Sequence, residues 1–483
     1  MQPAGSGAGR MAQEKKEVSK RMKRHCSIIP GPAAIVRIIM LLCPAILLGF
    51  SAFASEQPRM LTLDEALQIT LEHNRDIQKA VENKKRVMGF YVEQRAAALP
   101  QLTATGTGAR SWDEAQAQAE TIGPFSFGPI TIPAVVFPPN IDQRTVGVGL
   151  TQPLFTWGQV GAAIKAAKFG LASADDQLRI FRQAALRDVS AAFYDVLLAK
   201  EAYAIALQNL RQKEAHADEA DRRFSAGVAT EYDVLAAKVA VDNALPDVVR
   251  TENLVRTSRE QLRFILGIPE EVDADGGLET PVESPPGYDE TLEVAYKRRP
   301  ELADLKNRLG TATELVKVYK AGNKPRLDFQ AAGGYKELTL GHTEFDGKTW
   351  SVGVALTFPF FDGLRTEGKV AQAKSDVSTL KIEEAKTLDA IALQIRDSLN
   401  KVRESVGIVQ GLSGTVAQAE RLLQMAGKGY EYGVKTHLDV EDAELNLTQA
   451  KGSLAQGWRD YLVARVTLTW AMGILGEDQP FRP

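Results

Sequence analysis

From Leu171 to Ala226 the chain runs without a glycine or a proline. At about 1.5 Å per residue, a helix over those positions would reach on the order of 80 Å, and no compact domain needs such a rod. Along it Val189, Val196, Tyr203 and Leu210 recur at heptad spacing, and so do Leu178, Ala185, Ala192, Ala199 and Ala206. Two apolar seams, one mostly alanine, predict neighbouring helices packed closely alongside. A second rod is expected after Phe360, since no proline occurs between it and Gln479, although Gly407, Gly411 and Gly414 should loosen its middle. Pro246 is expected to interrupt and kink the helix that follows Gly227.

The rods belong to a tandem repeat. Thr151-Gln152-Pro153-Leu154-Phe155 has a counterpart in Thr357-Phe358-Pro359-Phe360-Phe361, at an offset of 359 − 153 = 206. The same offset relates Gly227-Val228-Ala229-Thr230-Glu231-Tyr232-Asp233-Val234 to Gly433-Val434-Lys435-Thr436-His437-Leu438-Asp439-Val440, and Leu266-Gly267-Ile268 to Met472-Gly473-Ile474. Nearer the front, Thr62–Leu67 parallels Thr291–Tyr296 at 291 − 62 = 229, and Asp76-Ile77 parallels Glu301-Leu302 at 301 − 76 = 225. Both front segments read as amphipathic helices. The further drop to 206 is a longer loop in the first half, between Pro100 and Pro153. The chain thus divides into a first repeat over 55–270, a linker over 271–290, a second repeat over 291–478 and a short tail over 479–483, with hairpin turns near 227 and 433.

Each half carries a strand pair. Apolar and small or polar residues alternate with period two at about 102–110 and 145–152, and again at about 326–335 and 350–358. Val146, Val148 and Leu150 face one way, and Gly147, Gly149 and Thr151 the other. Such lengths suit a tilted membrane-crossing strand. A soluble sheet has the same pattern, and the long helices and the export signal weigh against it.

That signal is at the N-terminus. Basic residues including Lys15, Lys16, Lys20, Arg21, Lys23 and Arg24 precede an apolar run from Ile38 to Phe50 and the small-residue pattern Ala52-Phe53-Ala54. Residues 1–54 read as a secretory signal peptide that is removed. Both cysteines, Cys26 and Cys43, lie within it, so no disulfide or thiolate metal site is expected beyond. What remains has 50 basic against 59 acidic side chains, a net charge of 50 − 59 = −9, which argues against a nucleic-acid partner.

Four strands cannot close a barrel, and open edges are not tolerated in lipid, so other copies of the chain must complete it. Two copies would give a narrow, side-chain-filled barrel; three would leave a lumen. The strand pairs ending at Phe155 and Phe361, the long helices, and the Gly-Val turns before Asp233 and Asp439 resemble the TolC-like outer membrane factor family over nearly the whole exported chain. The resemblance implies a mixed α and β membrane fold. Each protomer supplies four strands and long coiled helices to a trimer with a 12-stranded β-barrel in the outer membrane and an α-helical barrel in the periplasm. It also implies a passive export channel, working with a periplasmic adaptor and an inner-membrane transporter. The enlarged loop over 111–144 and the lack of a long C-terminal tail depart from the family pattern. A periplasmic adaptor, the alternative, would show one helical hairpin inserted into small β domains.

By the same resemblance, the turns at Gly227 and Gly433 lie at the periplasmic tip. Tyr430 and Lys435 would pair with Tyr232 and Asp233 to hold the duct closed, and Asp439 and Asp442 would line its mouth as rings of carboxylates that favour cations. Thr230-x-x-Asp233 and Thr436-x-x-Asp439 also read as capping boxes, and the two readings are compatible. No catalytic signature is found: His73, His216, His342 and His437 are scattered, and Gly147-Val148-Gly149 lies in a strand. No enzyme activity, cofactor or metal is expected.

Overall fold

The computed structural model describes residues 58–115, 124–132 and 138–476. The expected signal peptide, both cysteines, the tail over 479–483 and part of the enlarged loop lie outside them. In chain order the elements are β1 (Arg59–Leu61), α1 (Leu63–His73), α2 (Arg75–Ala96), β2 (Gln101–Trp112), β3 (Phe125–Phe127), β4 (Ile130–Ile132), β5 (Asn140–Phe155), α3 (Gln159–Ser225), α4 (Glu231–Leu266), β6 (Val272–Ala274), α5 (Tyr288–Arg298), α6 (Pro300–Lys320), β7 (Arg326–Leu340), β8 (Thr343–Thr357), α7 (Arg365–Glu431) and α8 (His437–Ala471).

The two rods are matched. α3 and α7 each span 67 residues, about 100 Å at the helical rise, and each of their ends is displaced by 206. The glycines and the proline expected to disturb the helices do not break them. α7 is unbroken at Gly407, Gly411 and Gly414. α4 passes Pro246 as one helix, which leaves the Asp242 carbonyl without an i+4 amide donor. The heptad seams hold over the first part of the rod, where Val189 and Val196 are fully buried and Leu178, Ala185, Ala192 and Ala199 nearly so, whereas Tyr203, Ala206 and Leu210 towards the tip are only half-buried.

The front helices correct one reading. α1 and α5 both have 11 residues, and they correspond at 298 − 73 = 225 rather than 229. A shift of four residues is close to one helical turn and keeps the same face inward, so an apolar pattern cannot distinguish the two registers. At the true offset, buried Ala66 and Thr70 match buried Thr291 and Ala295, with alanine and threonine exchanged. The stretch 271–290 is not simply a linker, since it holds β6, which pairs in parallel with β1, and the start of α5. These short elements wrap the middle of α3 and α7 and form the main core, in which Leu61, Leu262, Leu266, Val272, Ile391, Ile395, Leu399 and Tyr461 are almost wholly buried.

One contact recurs in both repeats. Gly267 ends α4 with φ +75°, and a Cβ there would stand 2.5 Å from the His73 carbonyl oxygen. Gly473 follows α8 with the same φ, and its Cβ would stand 2.8 Å from the Arg299 amide nitrogen. Asn74 donates from Nδ2 to the Ile265 carbonyl (2.8 Å), and the equivalent Arg299 donates from Nε to the Ala471 carbonyl (2.7 Å). Close backbone approach explains why both repeats need glycine there.

The strands form a four-stranded antiparallel sheet in the order β2-β5-β7-β8, with β2 and β8 as its edges. They extend beyond the expected limits, notably at β5 and at β7–β8, which meet in a two-residue turn with Gly341 at φ +63°. The register joins the two repeats through β5 and β7, with Val148 opposite Gly333. One face carries Leu102, Val146, Val148, Leu150, Phe329, Trp350, Val352, Val354 and Leu356; the other carries Thr103, Thr105, Thr145, Gly147, Gly149, Thr349 and Ser351. Trp350 is 82% exposed. An exposed apolar face of this extent, backed by a small polar face, is what a membrane barrel staves. Among the described residues no helix is long and apolar enough to cross a membrane.

Candidate functional site

The far ends of the hairpins carry the expected site residues. At each turn the helix closes on a left-handed glycine: Gly227 (φ +74°) donates to the Phe224 carbonyl and Val228 to that of Arg223, while Gly433 (φ +71°) donates to Tyr430 and Val434 to Gly429. These bonds satisfy carbonyls that a helix end leaves orphaned.

The next helix then begins on a capping box. Thr230 Oγ1 accepts from the Asp233 amide at 3.3 Å, and Asp233 Oδ2 accepts from the Thr230 amide at 2.8 Å. The second repeat copies this, with 3.2 Å from the Asp439 amide to Thr436 Oγ1 and 2.8 Å from the Thr436 amide to Asp439 Oδ2. Both carboxylates are therefore bound to backbone donors. Asp233 titrates below its ordinary range because of the Thr230 amide and hydroxyl, with a weaker contribution from His437. Asp439 is pulled down to about 2 by the Thr436 hydroxyl and amide, and by Lys435.

Within one chain Tyr430 and Lys435 have partners other than Tyr232 and Asp233. Lys435 Nζ reaches Asp439 Oδ1 at 3.0 Å, its stem folded over Gly429, where any Cβ would meet it at 2.6 Å. Tyr430 accepts a hydrogen bond from Arg223, whose guanidinium also lies 5.2 Å from the ring centroid. Tyr232 is 77% exposed, and Asp442 is exposed, three residues beyond Asp439 on α8.

Below the tip, the structure assembles a cluster that the sequence left scattered. Glu444 on α8 is only 3% exposed, and three side chains of α3 converge on it: Gln212 (2.5 Å), Lys213 (3.0 Å) and His216 (2.7 Å). Burial would raise the Glu444 carboxyl, but the hydrogen bonds from His216 and Lys213 outweigh it and hold the group low. His216 is raised in return, mainly by its bond to Glu444. The His216 ring lies edge-on to His437 at 5.3 Å, and His437 meets Tyr430 at 5.7 Å. A continuous chain of contacts thus runs from Arg223 through Tyr430, His437 and His216 to Glu444. A signal for it exists in the repeat: the positions matching His216, Lys213 and Glu444 are Leu422, Ala419 and Lys238, and Arg223 matches Gly429. The cluster lies where the two halves disagree. Among the described residues no three acidic, histidine or cysteine side chains are placed to hold a metal ion.

Comparison with known proteins agrees with this architecture. The family model described as outer membrane efflux protein matches residues 66–268 and 291–474. The alkaline protease secretion protein AprF of Pseudomonas aeruginosa is 26% identical over 434 residues, 89% of this chain and 88% of its own. Outer membrane protein TolC of Escherichia coli is 24% identical over 357 residues, 70% and 71% of the two chains. In fold the chain is similar to a membrane protein from Pseudomonas aeruginosa of known crystal structure, with a TM-score of 0.71 at 23% identity, covering 85% of this chain and 93% of that one.

Proposed function

Because the chain belongs to the outer membrane efflux protein family, whose members are outer-membrane channels of efflux and secretion systems extending into the periplasm, we propose that it works as a homotrimeric, passive duct joined to a periplasmic adaptor and an inner-membrane transporter. The observation that carries the trimer is the sheet: four strands, one apolar face and two edges, β2 and β8. Pairing β8 of one copy with β2 of the next satisfies both edges and places the threonine and glycine face inward on a 12-stranded lumen. Lipid then surrounds the apolar face. Nothing in this arrangement does bond chemistry; the transporter supplies the energy and selects the cargo.

The gate lies at the tip. Within one chain Tyr430, Lys435 and Asp233 contact Arg223, Asp439 and Thr230, and the proposed closed state adds contacts of Tyr430 and Lys435 with Tyr232 and Asp233 of a neighbouring copy. Gly227 and Gly433 provide the turns that allow the hairpin ends to converge, and Asp439 and Asp442 line the opening. Native mass spectrometry of the detergent-extracted protein tests the assembly: three copies per particle, conducting in planar bilayers, is the expected result. A single copy, or a non-conducting particle, overturns it.

A further inference from the structure

A cleft opens where the barrel meets the helices, and its lining differs from the rest of the molecule. It measures about 480 Å³ and is bounded by Trp157, Gly158 and Gly161 at the start of α3, by Lys165 one turn on, by Glu314, Lys317 and Lys320 in the last turns of α6, and by Lys324 just beyond it. Lys317 is paired with Glu314 at 2.6 Å. Among the described residues no ion-pair partner is recorded for Lys165, Lys320 or Lys324. The nearby carboxylate of Asp362 is taken up by the Thr366 amide and hydroxyl. Gly158 and Gly161 leave open space in front of the first turn of α3, whose helix dipole adds to the positive field.

Trp157 links the cleft to the apolar face of the sheet. Leu327 is on the apolar face of the sheet, Phe155 is its register partner, and the Trp157 ring stacks edge-on against Phe155 at 5.3 Å. In the barrel proposed above, Trp157 stands at the rim on the membrane side, at the depth where aromatic residues mark the boundary between hydrocarbon and headgroups. It holds that place in a left-handed conformation (φ +51°), which a bulky side chain adopts only under constraint.

Nor does the fold itself require this lining. The positions matching Trp157, Lys165, Lys317, Lys320 and Lys324 in the other repeat are Gly363, Ala371, Val92, Arg95 and Leu99. At the matching positions the other repeat carries one cation in place of four.

We propose that this cleft binds the phosphodiester headgroup of an anionic phospholipid in the periplasm-facing leaflet, with Lys165, Lys320 and Lys324 contacting the phosphate and Trp157 resting on the glycerol and upper acyl region. A cavity of this volume accommodates a headgroup, and lysines at an anionic surface are attracted to it. One such site per copy ties the rigid helices to a fixed depth in the membrane.

The test is native mass spectrometry of the full-length, delipidated protein titrated with phosphatidylglycerol and, separately, phosphatidylcholine. Wild type is expected to retain phosphatidylglycerol in preference. Lys165→Gln, Lys320→Gln and Lys324→Gln together should weaken it by about fivefold per lysine, on the order of a hundredfold. Removal of three lysines elsewhere, with Lys374→Gln, Lys381→Gln and Lys386→Gln, should leave it unchanged. Trp157→Gly, the residue of the matching position, relieves the backbone constraint, so it should weaken lipid retention several-fold without lowering the thermal midpoint. Equal losses in the two triple variants, an unaffected Trp157→Gly variant, or displacement of the lipid by an equal concentration of inorganic phosphate would each overturn the assignment.

Discussion

Glu444 lies 2.7 Å from His216 across the seam between α8 and α3, and with Lys213 it forms the most buried charge cluster near the tip. The groups facing it are Lys213, His216 and Glu219 from α3, and His437 and Glu441 from α8. Because His216 is raised above its ordinary 6.5, its stabilisation is fully present below that pH and lost as pH rises through the higher folded value. Glu444 is lowered from 4.5, so its share is present above that pH and lost as acid carries the pH through the folded value. The thermal midpoint should therefore fall as pH rises above 6.5, and His216→Gln should remove that fall. Glu444→Gln should cost about 2 kcal/mol, below the usual figure for a broken buried pair because Lys213 and His216 keep some contact with water.

The glycines of the hairpins separate into two classes. Gly227 and Gly433 have left-handed φ but open space around the missing Cβ; Gly267 and Gly473 have the same φ with backbone in the way. Alanine at either tip glycine should cost about 1 kcal/mol, the conformational penalty alone. At Gly267 or Gly473 it should cost more than about 2 kcal/mol, because the helix end must also move off the neighbouring turn. Thermal denaturation of the four variants measures the difference.

How much of this could be read without coordinates depends on whether a feature is periodic. The rods, the hairpin turns and the capping boxes at Thr230 and Thr436 are local patterns repeated at one offset, and strand alternation at Val146, Val148 and Leu150 already separates the two faces of the sheet. The register of α1 against α5 was hidden because four residues nearly complete a turn. His216 and His437 are 437 − 216 = 221 positions apart, and only the packing of α3 on α8 brings them together, so no spacing rule reaches them. Arg223, which holds Tyr430, was missed for the same reason. The tip cluster and the lysine cleft both include positions where one repeat is charged and its copy is apolar, as at Lys213 against Ala419, Lys165 against Ala371 and Lys324 against Leu99, a comparison the sequence alone permits.

The contact between Arg223 and Tyr430 bears on opening. Arg223 both donates to the phenol oxygen and lies against the ring, so it fixes the side chain proposed to close the gate. Tyr430→Phe with Lys435→Ser should raise single-channel conductance several-fold in planar bilayers. Arg223→Ala should raise it as well, and adding it to Tyr430→Phe should have less effect than the sum, since both changes break one interaction. Unchanged conductance in the double variant would remove these residues from the gate.

The two carboxylates proposed to line the mouth are unequal, although sequence spacing presents them as equivalent rings. Asp439 is bound to Thr436 and neutralised by Lys435 at 3.0 Å, whereas Asp442 is exposed on the next turn with no recorded ion pair among the described residues. In the proposed trimer the field of three Asp442 side chains would face the opening with less local compensation. Asp442→Ala should therefore shift the reversal potential in a salt gradient more than Asp439→Ala, and the double variant most. Whatever cation preference survives in Asp442→Ala should persist as the pH is lowered from 7 to about 3, because Asp439 keeps its charge until about 2. A preference that is already lost near pH 4 in that variant, or an Asp439→Ala shift larger than that of Asp442→Ala, would reverse the assignment of the two rings.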